Sequence, residues 1–143
     1  MSSWDYTNTG SPTDPLQTYS IECTPDPPAP GKDLKVVIKA AVTDEIAQGA
    51  YADVVVKLGL VKLLQKRFDL FEELRNRPEW SLTADSGGGA PLRKGDVVIT
   101  FDGRLPREIP RAKFTIDVRA YTADEEDLAA VKLNVAFLPS LPN

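Results

Sequence analysis

Asp124, Glu125, Glu126 and Asp127 are the densest run of groups in this sequence that could do chemistry. Neighbouring carboxylates can hold a cation, but a calcium loop spaces its ligands at alternate positions around a glycine, and this run does neither. A solvated turn is the better reading. Ser86–Pro91, SGGGAP, is glycine-rich but lacks the Lys-Ser/Thr ending that lets a phosphate loop grip nucleotide phosphates, so it reads as a hairpin connection. Serines and aspartates are plentiful, yet the chain has no histidine. The commonest general base and metal ligand is therefore missing, and no ordinary Ser-His-Asp arrangement can be assembled. The one cysteine, Cys23, allows neither an intrachain disulfide nor a multi-thiolate zinc site. Lys62, Lys66, Arg67 and Arg75 could meet phosphates, but a solvated rim is the simpler account. These residues point away from catalysis. No cofactor or metal is expected.

The chemistry that remains is apolar, and the question becomes which elements display it. The chain has 143 residues, enough for one domain spanning 1–143, with 42% hydrophobic residues and a net charge of −4. A basic patch or high isoelectric point is absent, so no nucleic-acid partner is expected. The first residues, MSSWDYTNTGSPTDP, are polar, unlike a signal peptide. No stretch reaches the ~18 apolar residues of a membrane span, because Lys57 and Lys62 break the longest candidate. With no cysteine pairs, the expected compartment is the cytoplasm, or the outside if a leader has been removed.

Residues 1–17 read as an arm or an edge segment. The prolines at 25, 27, 28 and 30 deny both helix and ladder donors, which makes that region an extended turn. Beyond it, Leu34, Val36, Ile38, Ala40 and Val42 alternate with Lys35, Val37, Lys39 and Ala41, the period of a half-buried strand. GAYADVVVKLGLVKLL, residues 49–64, fits a strand through Val54, Val56, Leu58 and Leu60, or a helix through Val54, Leu58, Val61 and Leu64. Three successive valines favour the strand, and Gly59 inside a helix would cost about 1 kcal/mol against alanine. A strand is expected to about Leu60, then a connection, then a short helix in FDLFEELRNR. Residues 81–96 read as a loop. Val97, Ile99 and Phe101, then Phe114, Ile116 and Val118, then Val131, Leu133, Val135 and Phe137 each define one face of a strand. About seven short strands with at most a short helix predict an all-β fold, an antiparallel sandwich of two sheets. Periodicity alone leaves open whether its inner faces pack on each other or leave a cavity.

TPDPPAPGKDL, GAYADVVVKLGLVKLLQKRFD, LPREIPRAKF and AYTADEEDL occur in an order and at spacings that resemble the ML (lipid-recognition) domain family over about residues 4 to 138. The resemblance is strongest to its fungal phosphatidylglycerol/phosphatidylinositol transfer branch, with the Niemann–Pick sterol-transfer proteins as more distant kin. It implies an immunoglobulin-like sandwich splayed to hold a lipid, a carrier role rather than an enzymatic one, and transient membrane contact as lipid is moved. The walls it implies are Val36, Ile38, Val54, Val56, Leu58, Leu60, Ile99, Phe101, Phe114, Ile116, Val118, Leu133 and Val135. Ile109 and Pro110 would stand at the mouth, with Leu64 and Phe68 closing the same end. Members of that branch are secretory and carry four disulfide cysteines, at positions that here correspond to Thr9, Phe71, Ala90 and Ala130, leaving Cys23 as a free thiol. The alternative, from a different functional class, is a filled sandwich that recognises a protein or glycan through its loops.

Overall fold

In the computed structural model, residues 3–26, 28–84 and 91–137 are described. Nine strands and one short helix follow in chain order: β1 (Ser3–Asn8), β2 (Leu16–Thr24), β3 (Asp33–Val42), β4 (Tyr51–Leu58), β5 (Val61–Asp69), α1 (Leu70–Asn76), β6 (Trp80–Ala84), β7 (Gly95–Arg104), β8 (Lys113–Tyr121) and β9 (Asp127–Ala136). All pairings are antiparallel, in one sheet ordered β1-β9-β8-β4-β5 and a second ordered β2-β3-β7-β6. The expected two-sheet all-β sandwich is present, with nine strands where about seven were read.

The two additional pairings come from segments whose sequence argues weakly for strand. Residues 61–67, expected as a connection, and Phe68 and Asp69, expected to open the helix, form β5, an edge strand on which every residue from Val61 to Arg67 is exposed. With neither face buried, β5 carries no alternation to read. The hairpin that creates it turns at Gly59, whose φ of +60° is open to glycine without strain, so Leu58 pairs directly with Val61. Trp80–Ala84, the start of the expected loop, pairs with β7 as β6. The rest of that loop from 85 to 90, including Ala90, lies outside the described residues. The short helix forms where FDLFEELRNR suggested. Asp69 caps it by accepting a hydrogen bond from the Glu72 amide at 3.0 Å, and Glu72 and Glu73 sit favourably in its first turn. The acidic run is a turn between β8 and β9, in which the Thr122 hydroxyl accepts from the Glu126 amide.

The alternating faces meet in register across the first sheet. Val54, Val56 and Leu58 oppose Val118, Ile116 and Phe114, which in turn oppose Val131, Leu133 and Val135. Small side chains decide where the sheets converge. Ala40, Ala50, Ala52 and Ala120 let the layers approach around Val42, Ile46, Phe71, Leu92, Val97 and Leu128, a core that closes one end of the sandwich. Phe71, standing where the resembled branch has a cysteine, is 6% exposed and fills part of this core. At the other end the inward residues are larger and the sheets stand apart.

Candidate functional site

The gap at the splayed end is a cavity of about 360 Å³, within the usual range for small-molecule sites, and the wall atoms facing it are all apolar. One wall consists of Val56 from β4, Phe114 and Ile116 from β8, Leu133 and Val135 from β9, Phe137 just beyond, and Trp4 from β1. The facing wall is Ile21 and Cys23 from β2, Pro28, and Leu34 and Val36 from β3. Leu105, Ile109 and Pro110 lie at the open end, in the segment that carries the chain from the second sheet to the first.

That end is held by backbone geometry. Gly31 donates to the Leu105 carbonyl at 2.9 Å, and the Leu105 amide donates to Lys32 at 3.0 Å. The Arg104 guanidinium adds two bonds to the Gly31 carbonyl, both at 3.2 Å. Gly31 has φ +75°, and a Cβ there would stand 2.8 Å from the Arg107 side chain, so only glycine fits the crossing. Pro106 and Pro110 fix φ on either side of Ile109.

Polar groups are kept off the cavity surface. Trp4 turns its Nε1 outward to donate to Asp26 at 2.8 Å. Cys23 is a free, buried thiol pushed up to about 11, first by burial and then by the nearby Asp26 charge, while a hydrogen bond with Trp4 works the other way. At neutral pH the wall carries no thiolate. Apart from this mostly protonated thiol, the lining residues carry no group that could serve as a general base or nucleophile. It can hold a hydrocarbon.

The structure brings Val36, Val56, Ile109, Pro110, Phe114, Ile116, Leu133 and Val135 to the cavity. Nine other expected residues stand elsewhere, each for a local reason. Ile38 and Ile99 pair with each other deeper in the second sheet, and Val118 packs against the core. Phe101 is held by Trp80, with ring centroids 4.9 Å apart, and lies over Gly103. Val54 sits in register with Val118 and Lys66, deeper along the sheet than Val56. Leu58 lies beside lining residue Phe114 without entering the lining. Phe68 is half-buried beneath the Lys66 ammonium, 5.0 Å from the ring centroid. Leu60 in the hairpin turn is fully exposed, and Leu64 on the edge strand is 44% exposed, so neither closes the cavity. Sequence reasoning missed Trp4, Ile21, Cys23, Pro28, Leu34, Leu105 and Phe137. Ile21/Cys23 and Leu34/Val36 carry the two-residue period, and Phe137 continues that of Leu133 and Val135; Trp4 and Leu105 carried no periodic signal.

Residues 3–137 match the family model for the ML domain. The chain is 45% identical over 136 residues to a phosphatidylglycerol/phosphatidylinositol transfer protein of Cryptococcus neoformans, covering 95% of this chain and 72% of the relative. The chain belongs to the ML-domain family. A protein of the same name from Mycosarcoma maydis is 35% identical over 134 residues, covering 94% of this chain and 66% of the relative. Among solved structures, the ML domain here is similar to a Niemann–Pick type C2 protein from Japanese carpenter ant, with a TM-score of 0.64, 17% identity, and coverage of 91% of this chain and 96% of that one. Chicken MD-1, solved in complex with lipid IVa, is similar with a TM-score of 0.55 and 14% identity, covering 93% and 97% of the two chains. At those identities the likeness establishes the fold.

Membership corrects the compartment. The cytoplasmic expectation rested on a polar amino terminus and missing cysteine pairs, and it does not stand against membership of the branch whose resemblance implied secretory relatives. The match also leaves part of the Cryptococcus relative uncovered, so the residues at which this ML domain begins carry no information on compartment.

Proposed function

We propose that this ML domain is a non-catalytic lipid carrier, residues 3–137 acting as one binding unit that holds the hydrocarbon of a phospholipid, sterol or fatty acid between its sheets and moves it between membranes. The observation that carries the reading is the open cavity of about 360 Å³ whose exposed wall is wholly apolar. Each methylene transferred from water contributes about 0.8 kcal/mol, so ten give roughly 8 kcal/mol before ordering costs, a driving force that needs no precise polar contact. The names of the fungal relatives support a phospholipid within that class. The proposed contacts are the eight expected residues that line the cavity together with Trp4, Ile21, Cys23, Pro28, Leu34, Leu105 and Phe137. A filled sandwich acting only through its loops has no use for such a space.

Native mass spectrometry of protein purified without detergent, followed by organic extraction, tests this directly. The expected result is a discrete adduct of lipid mass released by solvent. A clean apo mass that also refuses added phospholipid, sterol and fatty acid would overturn it.

A further inference from the structure

A second cavity, of about 330 Å³, lies between the loop of residues 9–14 and the adjoining ends of β8 and β9. It shares no lining residue with the first. Arg119 in its wall stands five residues along β8 from Phe114, about 17 Å at the rise of an antiparallel strand. Where the first cavity is apolar, this one is walled mainly by polar atoms. Thr9 and Ala130, two positions at which the resembled branch carries cysteines, both line it, so the wall here differs from that branch's.

The loop is tied into one shape. Asp14 is 5% exposed; its Oδ2 accepts from the Ser11 amide at 2.9 Å, and its own amide donates to the Ser11 carbonyl at 3.0 Å. Gln17 Nε2 donates to the carbonyls of Ser11 and Asp14 at 2.9 and 2.7 Å, and Asn8 Oδ1 accepts from the Gly10 amide at 2.9 Å. Gly10 permits this closure, because a Cβ there would stand 2.6 Å from Asp14 Oδ2. Asp14 Oδ1 is left over. It has no hydrogen bond among the described residues, and no fully buried side-chain oxygen there lacks a partner, so Oδ1 keeps an open face at the cavity that Asp14 lines. A nearly buried carboxylate with an oxygen to spare calls for a donor.

Arg119 supplies the opposite chemistry. It is exposed, and its cross-strand neighbour Asp53 is already held by Arg67 through two bonds of 2.8 and 3.2 Å. Among the described residues Arg119 has neither hydrogen bond nor ion pair, and the same is true of the exposed Asp127 at the start of β9. Tyr121, steadied by Tyr51 with ring centroids 5.3 Å apart, forms another part of the wall. A guanidinium and two carboxylates thus face one space without meeting each other. A ligand filling it must accept from the first and donate to the others. A divalent cation would be repelled by Arg119, and no three carboxylate or thiol groups converge among the described residues. Phosphate would meet Asp14 and Asp127. A zwitterionic amino-acid backbone matches both signs but is too small. At roughly 30 Å³ for each water-sized group the space holds about eleven, close to the dozen or so non-hydrogen atoms of a hexose. A sugar ring also carries hydroxyls that donate and accept at once, and a C–H face that suits a wall of alanine and tyrosine.

We propose that this second cavity is a glycan-binding site that takes one hexopyranose unit, whose hydroxyls donate to Asp14 Oδ1 and the Asp127 carboxylate and accept from the Arg119 guanidinium. The few partners and the partly exposed wall make it a weak site for a single sugar, with a millimolar Kd. It stands on these residues alone and is independent of what the apolar cavity holds.

The test follows backbone amide NMR shifts of the full chain during titration with methyl glycosides of glucose, galactose, mannose and N-acetylglucosamine. Parallel titrations use myo-inositol, glycine and inorganic phosphate. The expected result is saturable shifts with at least one glycoside in residues 9–14, 119–121 and 127–130, with affinity roughly tenfold lower in Arg119→Ala. Arg119 is exposed and unpaired, so that variant should keep the wild-type melting temperature and the wild-type uptake of a fluorescent fatty acid, which separates this site from the apolar cavity. Saturation by no glycoside overturns the proposal, as does saturation by myo-inositol, glycine or phosphate alone. Glycoside shifts that persist undiminished in Arg119→Ala, or that fall on Val56, Phe114 and Leu133 instead, overturn it too.

Discussion

Replacing Val56 by tryptophan should abolish lipid uptake while sparing the fold. Val56 is half-buried on β4, between Leu64 and Ile116, and its side chain faces the cavity. At roughly 30 Å³ for each water-sized group, a 360 Å³ space accommodates about a dozen methylenes, worth about 10 kcal/mol of transfer free energy. An indole brings roughly seven more heavy atoms than the isopropyl group it replaces, so more than half of those positions are lost. At about 0.8 kcal/mol each the forfeited transfer is ~5 kcal/mol, and repositioning of the chain toward the open mouth recovers part of it. A net loss of ~3 kcal/mol corresponds to a Kd weakened about a hundredfold or more. Because the added atoms enter existing space, the melting temperature should move by only a few degrees. Titration with a fluorescent fatty acid or phospholipid, alongside a thermal melt, measures both quantities. A folded V56W protein binding with wild-type Kd would refute the placement of the ligand between the sheets.

Two further outcomes follow from individual contacts. The Cys23 thiol, pushed from 9.0 to about 11 in the folded chain, should alkylate slowly at pH 8, faster as pH approaches 11, and more slowly still when lipid fills the cavity. Because the folded value is the higher one, its contribution to stability is complete below pH 9 and is lost as pH rises through about 11. Urea midpoints of Cys23→Ala should therefore fall less steeply than wild type across that window; parallel curves would show that the thiol is not buried as described. The Thr9 amide donates to the Ala130 carbonyl at 3.1 Å, which places these two positions side by side at the end of the β1–β9 ladder. The double variant Thr9→Cys, Ala130→Cys should oxidise to a disulfide and gain at most about 4 to 5 kcal/mol in the chain-entropy account, read from denaturant midpoints with and without reductant. Persistence of two free thiols under oxidant would contradict this register.

The strands that sequence made legible are those with one buried face. In β3, β4, β7, β8 and β9 the two-residue period of Val, Ile, Leu and Phe sorted inside from outside, and their registers put those faces together. The helix was legible because FDLFEELRNR is made of good helix formers and ends before Pro78; its Asp69 cap emerged only in the structure. β5 was hidden by the same logic: an edge strand exposed on both faces has no alternation, and its leucines looked like wall residues because hydrophobicity does not say what covers it.

The sequence by itself determined an all-β chain without histidine and with a single cysteine, an inward face on each main strand, and family motifs spanning nearly the whole length. Only the tertiary structure decided which part of each inward face is core and which is cavity. Val36 and Ile38, or Val56 and Val54, are equivalent in the pattern and two residues apart, yet one of each pair lines the space and the other does not. Alternation encodes the side of a sheet, whereas the distance between sheets is set along the strands by partners remote in sequence. Here alanines at 40, 50, 52 and 120 draw the layers together at one end, and Phe114, Phe137, Leu105 and Trp4 stand where they part at the other.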